Sequence, residues 1–167
     1  MRKTIRHAVE SGPNAQQQWL DLEGISMVEV TSEDPNFPIE SALAGEGRGW
    51  RAGDRGEQVI RIVFDRPTPV QRIRLEFFDT ESERTQEFTL RWARTGEALR
   101  EIVRQQWNFS PRGSTSEVED YRLDLDRVSV LELTLKPDLQ PNHGVASLAA
   151  WRLAYTAASL TCHPVRL

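Results

Sequence analysis

The dominant period along the chain is two. In "RIRLEFF", Ile73, Leu75 and Phe77 fall on one face and Arg72, Arg74 and Glu76 on the other. "EFTLRWA" sets Phe88, Leu90 and Trp92 in phase, and "YRLDLD" opposes Tyr121, Leu123 and Leu125 to Arg122, Asp124 and Asp126. Such alternation predicts half-buried antiparallel strands, because successive side chains of a strand point to opposite faces. "QVIRIVF" and "SVLELTL" are richer in apolar residues and predict more central strands. In the second the phase slips between Val130 and Leu131, as a β-bulge would make it. "GEALREIVRQQW" is open to two readings. Propensity allows a helix with Leu99, Ile102, Val103 and Gln106 on one face, but strands on both sides favour a strand from about Glu101 to Phe109. No long amphipathic helix stands out.

Turn signals separate these runs. "DRPTPV" carries Pro67 and Pro69, which cannot donate ladder hydrogen bonds. "ARTGEA" reads as a hairpin around Thr95–Gly96, and "NFSPRGSTSE" and "KPDLQPNHG" as longer polar loops. Roughly eight strands at this spacing predict an all-β sandwich or jelly roll. The pattern fades at both ends. It predicts an N-terminal arm over residues 1–18, one β-sandwich domain over 19–155 and an irregular tail over 156–167.

Composition narrows the function classes. A chain of 167 residues is long enough to bury one substantial core. Its formal net charge is −4, with acids and bases interleaved, so nothing drives it as a whole toward nucleic acid or an anionic membrane. The single cysteine, Cys162, excludes an intramolecular disulfide and a thiolate metal cluster. The start, "MRKTIRHAVESGPNAQQQ", is basic but runs into no apolar stretch, and no apolar run approaches the ~18 residues of a membrane span. A cytoplasmic protein without a membrane span is expected.

Catalytic motifs are missing. His7, His143 and His163 form no metal-ligand pair, and no G-x-S-x-G elbow occurs. Cys162 and His163 are one adjacent pair in the unpatterned tail. Asp124 and Asp126 share what the alternation makes the wet face of a strand. No enzyme is expected, and no cofactor or metal.

"GEGRGWRAGDRGEQVIRIVF", residues 45–64, raises the question of a phosphate-cradling loop. A dinucleotide fingerprint needs G-x-G-x-x-G between a strand and a helix, whereas Gly45, Gly47 and Gly49 are differently spaced and a strand follows. A P-loop needs a terminal Gly-Lys-Ser/Thr, which is absent. The glycines therefore read as a loop with unusual backbone angles, and Trp50 as a plug for the end of the sandwich.

Taken in order, "IESALAGEGRGWRA", "EQVIRIVFDRPTPVQRIRLEFFD", "EFTLRWARTGEALREI" and "VSVLELTLKPD…ASLAAWRLA" resemble the discoidin, or coagulation factor 5/8 C-type, domain of the galactose-binding-domain-like superfamily. The resemblance covers about Trp19 to Tyr155. It implies an eight-stranded antiparallel jelly-roll β-sandwich and a non-catalytic binding module. A carbohydrate ligand is the first expectation. A protein–protein interaction or assembly module without a sugar ligand is the alternative, and nucleic-acid binding is not expected. Many relatives hold a structural calcium, but Ala44 and Ala150 stand where the resemblance implies acids, so a tight calcium site is not expected.

Antiparallel connections alternate between the two ends of a sandwich. Segment 31–57, "DTESERTQ", "SPRGSTSE" and "PDLQPNHG" should meet at one rim, with "DRPTPV", "ARTGEA" and "DLDR" opposite. The resemblance implies ligand binding at that first rim. The candidates there are Arg48, Arg51, Arg55, Arg84, Asn108, Arg112 and His143, with Asn142 beside them. Guanidinium and amide groups suit sugar hydroxyls and need an aromatic platform alongside. Phe37, Trp107 and Phe109 are the candidates, each with a plainer reading. Phe37 can plug its loop between Pro35 and Pro38, and Trp107 and Phe109 can pack with Val103 in the core. Each arginine, likewise, can be only a solvated loop charge.

Overall fold

Among the described residues the alternating runs become eight strands: β1 (Ser26–Val30), β2 (Trp50–Arg55), β3 (Gln58–Phe78), β4 (Arg84–Ala93), β5 (Arg100–Phe109), β6 (Ser116–Lys136), β7 (Val145–Leu148) and β8 (Ala150–Ala154), with one helix, α1 (Ile39–Ala44). The computed structural model describes residues 18–156. The expected arm and tail, with His7, Cys162 and His163, lie outside the described residues except at their inner ends.

All pairing is antiparallel, and β3 and β6 organise it. They pair with each other from Gln58 opposite Leu135 to Phe78 opposite Ser116. The first part of β3 also takes β1, Val30 facing Ile60, and its last part takes β8, Glu76 facing Ala150. β4 joins the last part of β6, Phe88 facing Leu135, and β5 joins β4. One layer thus runs β1-β3-β6-β4-β5, and the other is built on the opposite halves of the same two long strands plus β8. β2 and β7 form a separate ribbon. This is a jelly-roll β-sandwich, as the alternation predicts.

The inward phases agree with the sequence pattern. Ile60, Ile62, Ile73, Leu75, Phe88, Leu90, Leu131, Leu133 and Leu135 are buried to 1% exposure or less. Each such side chain contributes on the order of 1.5–3 kcal/mol relative to exposure. Phe77 of β3 stacks on Phe88 of β4 at 5.3 Å, where the two layers meet. Trp50 is 1% exposed and belongs to this core. The segment before Phe109 is strand and not helix, because it pairs along β4 from Arg84 facing Phe109 to Trp92 facing Arg100, with one bulge at Ile102.

Two expected turns are bends within continuous strands. "DRPTPV" lies inside β3 and "DLDR" inside β6. Pro67 and Pro69 fall among the register shifts between Val63 and Arg72, where a missing N–H is tolerated. The phase slip of β6 also lies there. Val128 pairs with Thr68 and Val130 with Val63, while the Val130–Leu131 step is regular. α1 is too short for periodicity to reveal, but its signals are local. Pro38 precedes it, Glu33 Oε1 accepts the Ile39 N–H at 2.6 Å, and Gly45 ends it at φ 67°.

One inward position breaks the apolar pattern. Glu117, Glu119 and Tyr121 continue the inward phase of Leu123 and Leu125. Glu117 is 2% exposed, and as a carboxylate it meets no hydrogen-bond donor among the described residues. Burial, reinforced by the charge of neighbouring Glu119, raises its pKa to about 7. Glu119 itself accepts from Gln105 Nε2 at 2.5 Å, and Gln105 Oε1 accepts from Tyr121 at 3.0 Å.

The folded protein therefore holds a proton on Glu117 that the unfolded chain releases near the ordinary value of 4.5. The stabilisation is complete below that value and is lost as pH rises through about 7. Asp79, Glu87 and Asp120, whose pKa values are lowered, act at pH below their ordinary range and do not overlap this window. The melting temperature is expected to fall by roughly 5–10 °C between about pH 5 and pH 8, for a change on the order of 2–3 kcal/mol. Glu117→Gln should flatten that slope. Calorimetric melts of both proteins across the range check it, and a flat wild-type profile refutes it.

Candidate functional site

Four loops meet at one end of the sandwich and are laced together by backbone hydrogen bonds. Gly56 donates to Gly144 at 3.1 Å, Leu139 to Thr85 at 3.0 Å, and Asp79 to Thr115 at 2.8 Å. Segments 31–57, 79–83, 110–115 and 137–144 thus form one rim.

The glycines shape it. Gly45, Gly47 and Gly49 all have φ between 67° and 73°. At Gly49 a Cβ would lie 2.4 Å from the Leu148 carbonyl oxygen, so the loop can pass β7 only without a side chain there. The loop presents Arg48 outward between Gly47 and Gly49. The preceding turn is tied to β2, where Asp34 donates to the Arg51 carbonyl at 2.9 Å and Arg51 to the Phe37 carbonyl at 3.2 Å. This brings the Phe37 ring under two guanidiniums, with Arg51 4.8 Å and Arg48 5.9 Å from its centroid.

A groove of about 770 Å³ runs between this loop, the 78–82 turn and β7. Arg48, Arg51 and Arg55 line it, with Phe37 and Trp50. Across from them stands Phe78, 58% exposed. Phe78 is not among the residues expected at the rim. The signal was present: with Ile73, Leu75 and Phe77 inward, Phe78 must face out. Val145, 40% exposed, adds apolar surface.

Arg84 is placed elsewhere. It is 7% exposed, in phase with inward Gln86 and Phe88. Its guanidinium donates to Asp79 Oδ2 at 2.7 Å, to the Pro137 carbonyl at 2.5 Å and to Gln86 Oε1 at 3.1 Å, and lies 4.7 Å from the Phe109 centroid. Burial pushes the Asp79 carboxyl up, but hydrogen bonds from Arg84, Glu81 and Ser82 outweigh it and hold the group below its ordinary value. Arg84 is thus a structural clamp, and Phe109, 1% exposed, is core. Trp107 is half-buried against that core.

The other candidates stand outside the groove lining. Asn108 faces the outer side of β4–β5, where its Oδ1 accepts from Thr85 Oγ1 at 2.7 Å. Arg112 is exposed in the 110–115 loop. His143 is exposed one residue before the groove-lining Gly144, and Asn142, at φ 60°, packs its backbone beside Gly56.

The residues at the calcium position implied by the resemblance do not fit that ion. The Ala44 carbonyl accepts a hydrogen bond from the Arg152 guanidinium, which sits directly over Gly45. A fixed positive charge holds the place where a cation would need oxygen ligands. Ala150, 7% exposed, offers no carboxylate. A second cleft, about 570 Å³ between α1 and residues 19–23, is walled by Trp19, Leu22, Ile39 and Leu43. Its cation is this same committed Arg152, and its remaining charges are acids.

No family model matches the chain, and no curated protein matches it in sequence. Solved structures match its fold. The family 32 carbohydrate-binding module of Clostridium perfringens NanJ, in complex with galactose, is 16% identical, with 83% of this chain and 99% of that chain covered and a TM-score of 0.60. A pectin-binding carbohydrate-binding module is 16% identical over 80% of this chain and 93% of its own, with a TM-score of 0.56. The family 32 module of AlyQ, in complex with 4,5-unsaturated mannuronic acid, is 17% identical over 81% of this chain and 97% of its own, with a TM-score of 0.57. The likeness is one of fold, the antiparallel jelly-roll β-sandwich.

Two outcomes separate clamp from groove and metal from guanidinium. Arg84→Ala should cost about 3 kcal/mol in urea unfolding, because it strands the Asp79 charge, whereas Arg55→Ala should stay within about 0.5 kcal/mol of wild type. Excess chelator, or millimolar calcium, should move the melting temperature by no more than about 1 °C.

Proposed function

We propose that the chain is a non-catalytic carbohydrate-binding module that holds a sugar in the rim groove. The observation that carries this is the pairing of an exposed aromatic, Phe78, with Arg48, Arg51 and Arg55 across one groove. A pyranose ring has an apolar face that packs on an aromatic ring and an equatorial belt of hydroxyls that accept from guanidiniums. Val145 extends the apolar floor, and the glycine loop and the Asp79 turn hold the two walls in place. The sugar-bound neighbours of the same fold support the reading, as does the resemblance to discoidin-type domains. Of the two carboxylates in the groove lining among the described residues, only Glu81 is not engaged by Arg84, so the groove holds no pair of acid and base. Asp79 is held ionised by Arg84, and no histidine or cysteine lines the groove among the described residues.

A glycan array followed by titration calorimetry tests the proposal. Phe78→Ala should weaken the best ligand about tenfold while leaving the melting temperature unchanged, since the ring is exposed and its loss removes only ligand contact. A folded protein that binds no glycan, or a ligand indifferent to Phe78, overturns it.

A further inference from the structure

We infer that the sugar is acidic, a glycan carrying carboxylates such as uronic-acid residues; this rests on the carbohydrate reading above and deepens it. Three guanidiniums line one groove, and no carboxylate among the described residues pairs with any of them. Many arginines of the sheets are partnered by carboxylates, Arg61 and Arg91 by Glu132, Arg72 and Arg74 by Asp120, Arg94 by Asp126 and Arg104 by Glu87, whereas Arg66 and Arg112 are, like the groove arginines, exposed without such a pair among the described residues but stand outside the groove lining. What sets the groove apart is that three such arginines are gathered in one lining.

The groove's own acids do not compensate. Asp79 is neutralised by Arg84 at 2.7 Å and has its lone pairs taken by Ser82 and the Glu81 amide. Glu81 alone faces three cations there. The groove is therefore positive on a chain whose formal net charge is −4. Phe37 holds Arg48 and Arg51 from beneath without consuming their charge or their hydrogen-bonding protons.

Three like charges gathered in this way repel one another, and a bound anion relieves that repulsion. Neutral sugar hydroxyls would need donors but not full charges. A carboxylate matches the planar fork of a guanidinium with two parallel N–H···O bonds. Acidic sugars spaced along a chain would meet successive arginines while one ring packs on Phe78.

Calorimetry on the wild-type protein with uronate oligosaccharides (galacturonate, mannuronate, glucuronate), their methyl esters, galactose and sulfated galactose tests this. At least one uronate should bind about tenfold or more tighter than its own methyl ester, and the advantage should shrink between about 50 and about 500 mM salt. Arg51→Gln and Arg55→Gln should bring the acid down toward the ester. Acid and ester binding equally, or galactose binding best, overturns the acidic assignment and leaves the carbohydrate reading standing. Preference for sulfated galactose over every uronate overturns the carboxylate in favour of a sulfate ester. Binding to none of these while a glycan array gives a hit also overturns it. Silence on the array as well overturns the carbohydrate reading, and the acidic assignment with it.

Discussion

The ladder between β3 and β6 is the constraint on which the rest of the molecule depends. Every other strand of the two layers attaches to one of these two or to a strand that does: β1 and β8 to β3, β4 to β6, and β5 to β4. Because each long strand bends midway, its two halves serve opposite layers, and their inward faces meet as the core, with Phe77 against Phe88. The bend is possible because Pro67 and Pro69 fall where the register shifts and a missing N–H leaves no gap in the ladder. A slip of one residue would turn Ile73, Leu75 and Phe77 outward together, so burial fixes the register as firmly as the hydrogen bonds do.

The groove end of the sandwich inherits its order from that ladder and its charge from one buried ion pair. Arg84 ties the 79–83 turn to the Pro137 carbonyl and the Phe109 ring, joining three of the rim's connections through one side chain. A buried guanidinium is tolerable only because each face of it is satisfied. The same pairing removes Asp79 from the groove's electrostatics, so the arginines of the glycine loop act without a counter-charge beyond Glu81. Net charge is a poor guide to such a place. At physiological salt, charges beyond about 8 Å are screened, and the local arrangement decides what anion is attracted.

Within the rim, what could be read in advance depended on the local backbone. Arg48, Arg51 and Arg55 share one short glycine-punctuated segment, and their common placement followed from chain continuity. Arg84 and Asn108 belong to strands, where phase governs. Extending the inward alternation of Phe88, Leu90 and Trp92 back two steps passes through Gln86 to Arg84, which argues for burial. Asn108, one step from inward Phe109, falls on the outer face. Phe78 was legible by the same rule, since its neighbour Phe77 is inward. Arg112 and His143 lie in loops of this rim, but a loop's side-chain directions are set by its contacts and not by any period.

Local pattern in the chain was enough for the all-β character, the phase of most strands, the inward sets and the end of the sandwich at which the loops gather. These follow from period-two alternation and turn residues, which act over a few neighbouring positions. The tertiary structure alone decided that two apparent turns are bends in continuous strands, that Arg84 is a clamp and not a contact, that Glu117 carries its carboxyl into the core, and that three arginines are left unpaired beside an exposed Phe78. Each of those outcomes depends on partners distant in the chain, as with Glu117 paired to Phe77 of β3 and Asp79 held by Arg84 and bonded to Thr115. Local patterns carry no information about which distant group will supply the countercharge, the donor or the covering surface.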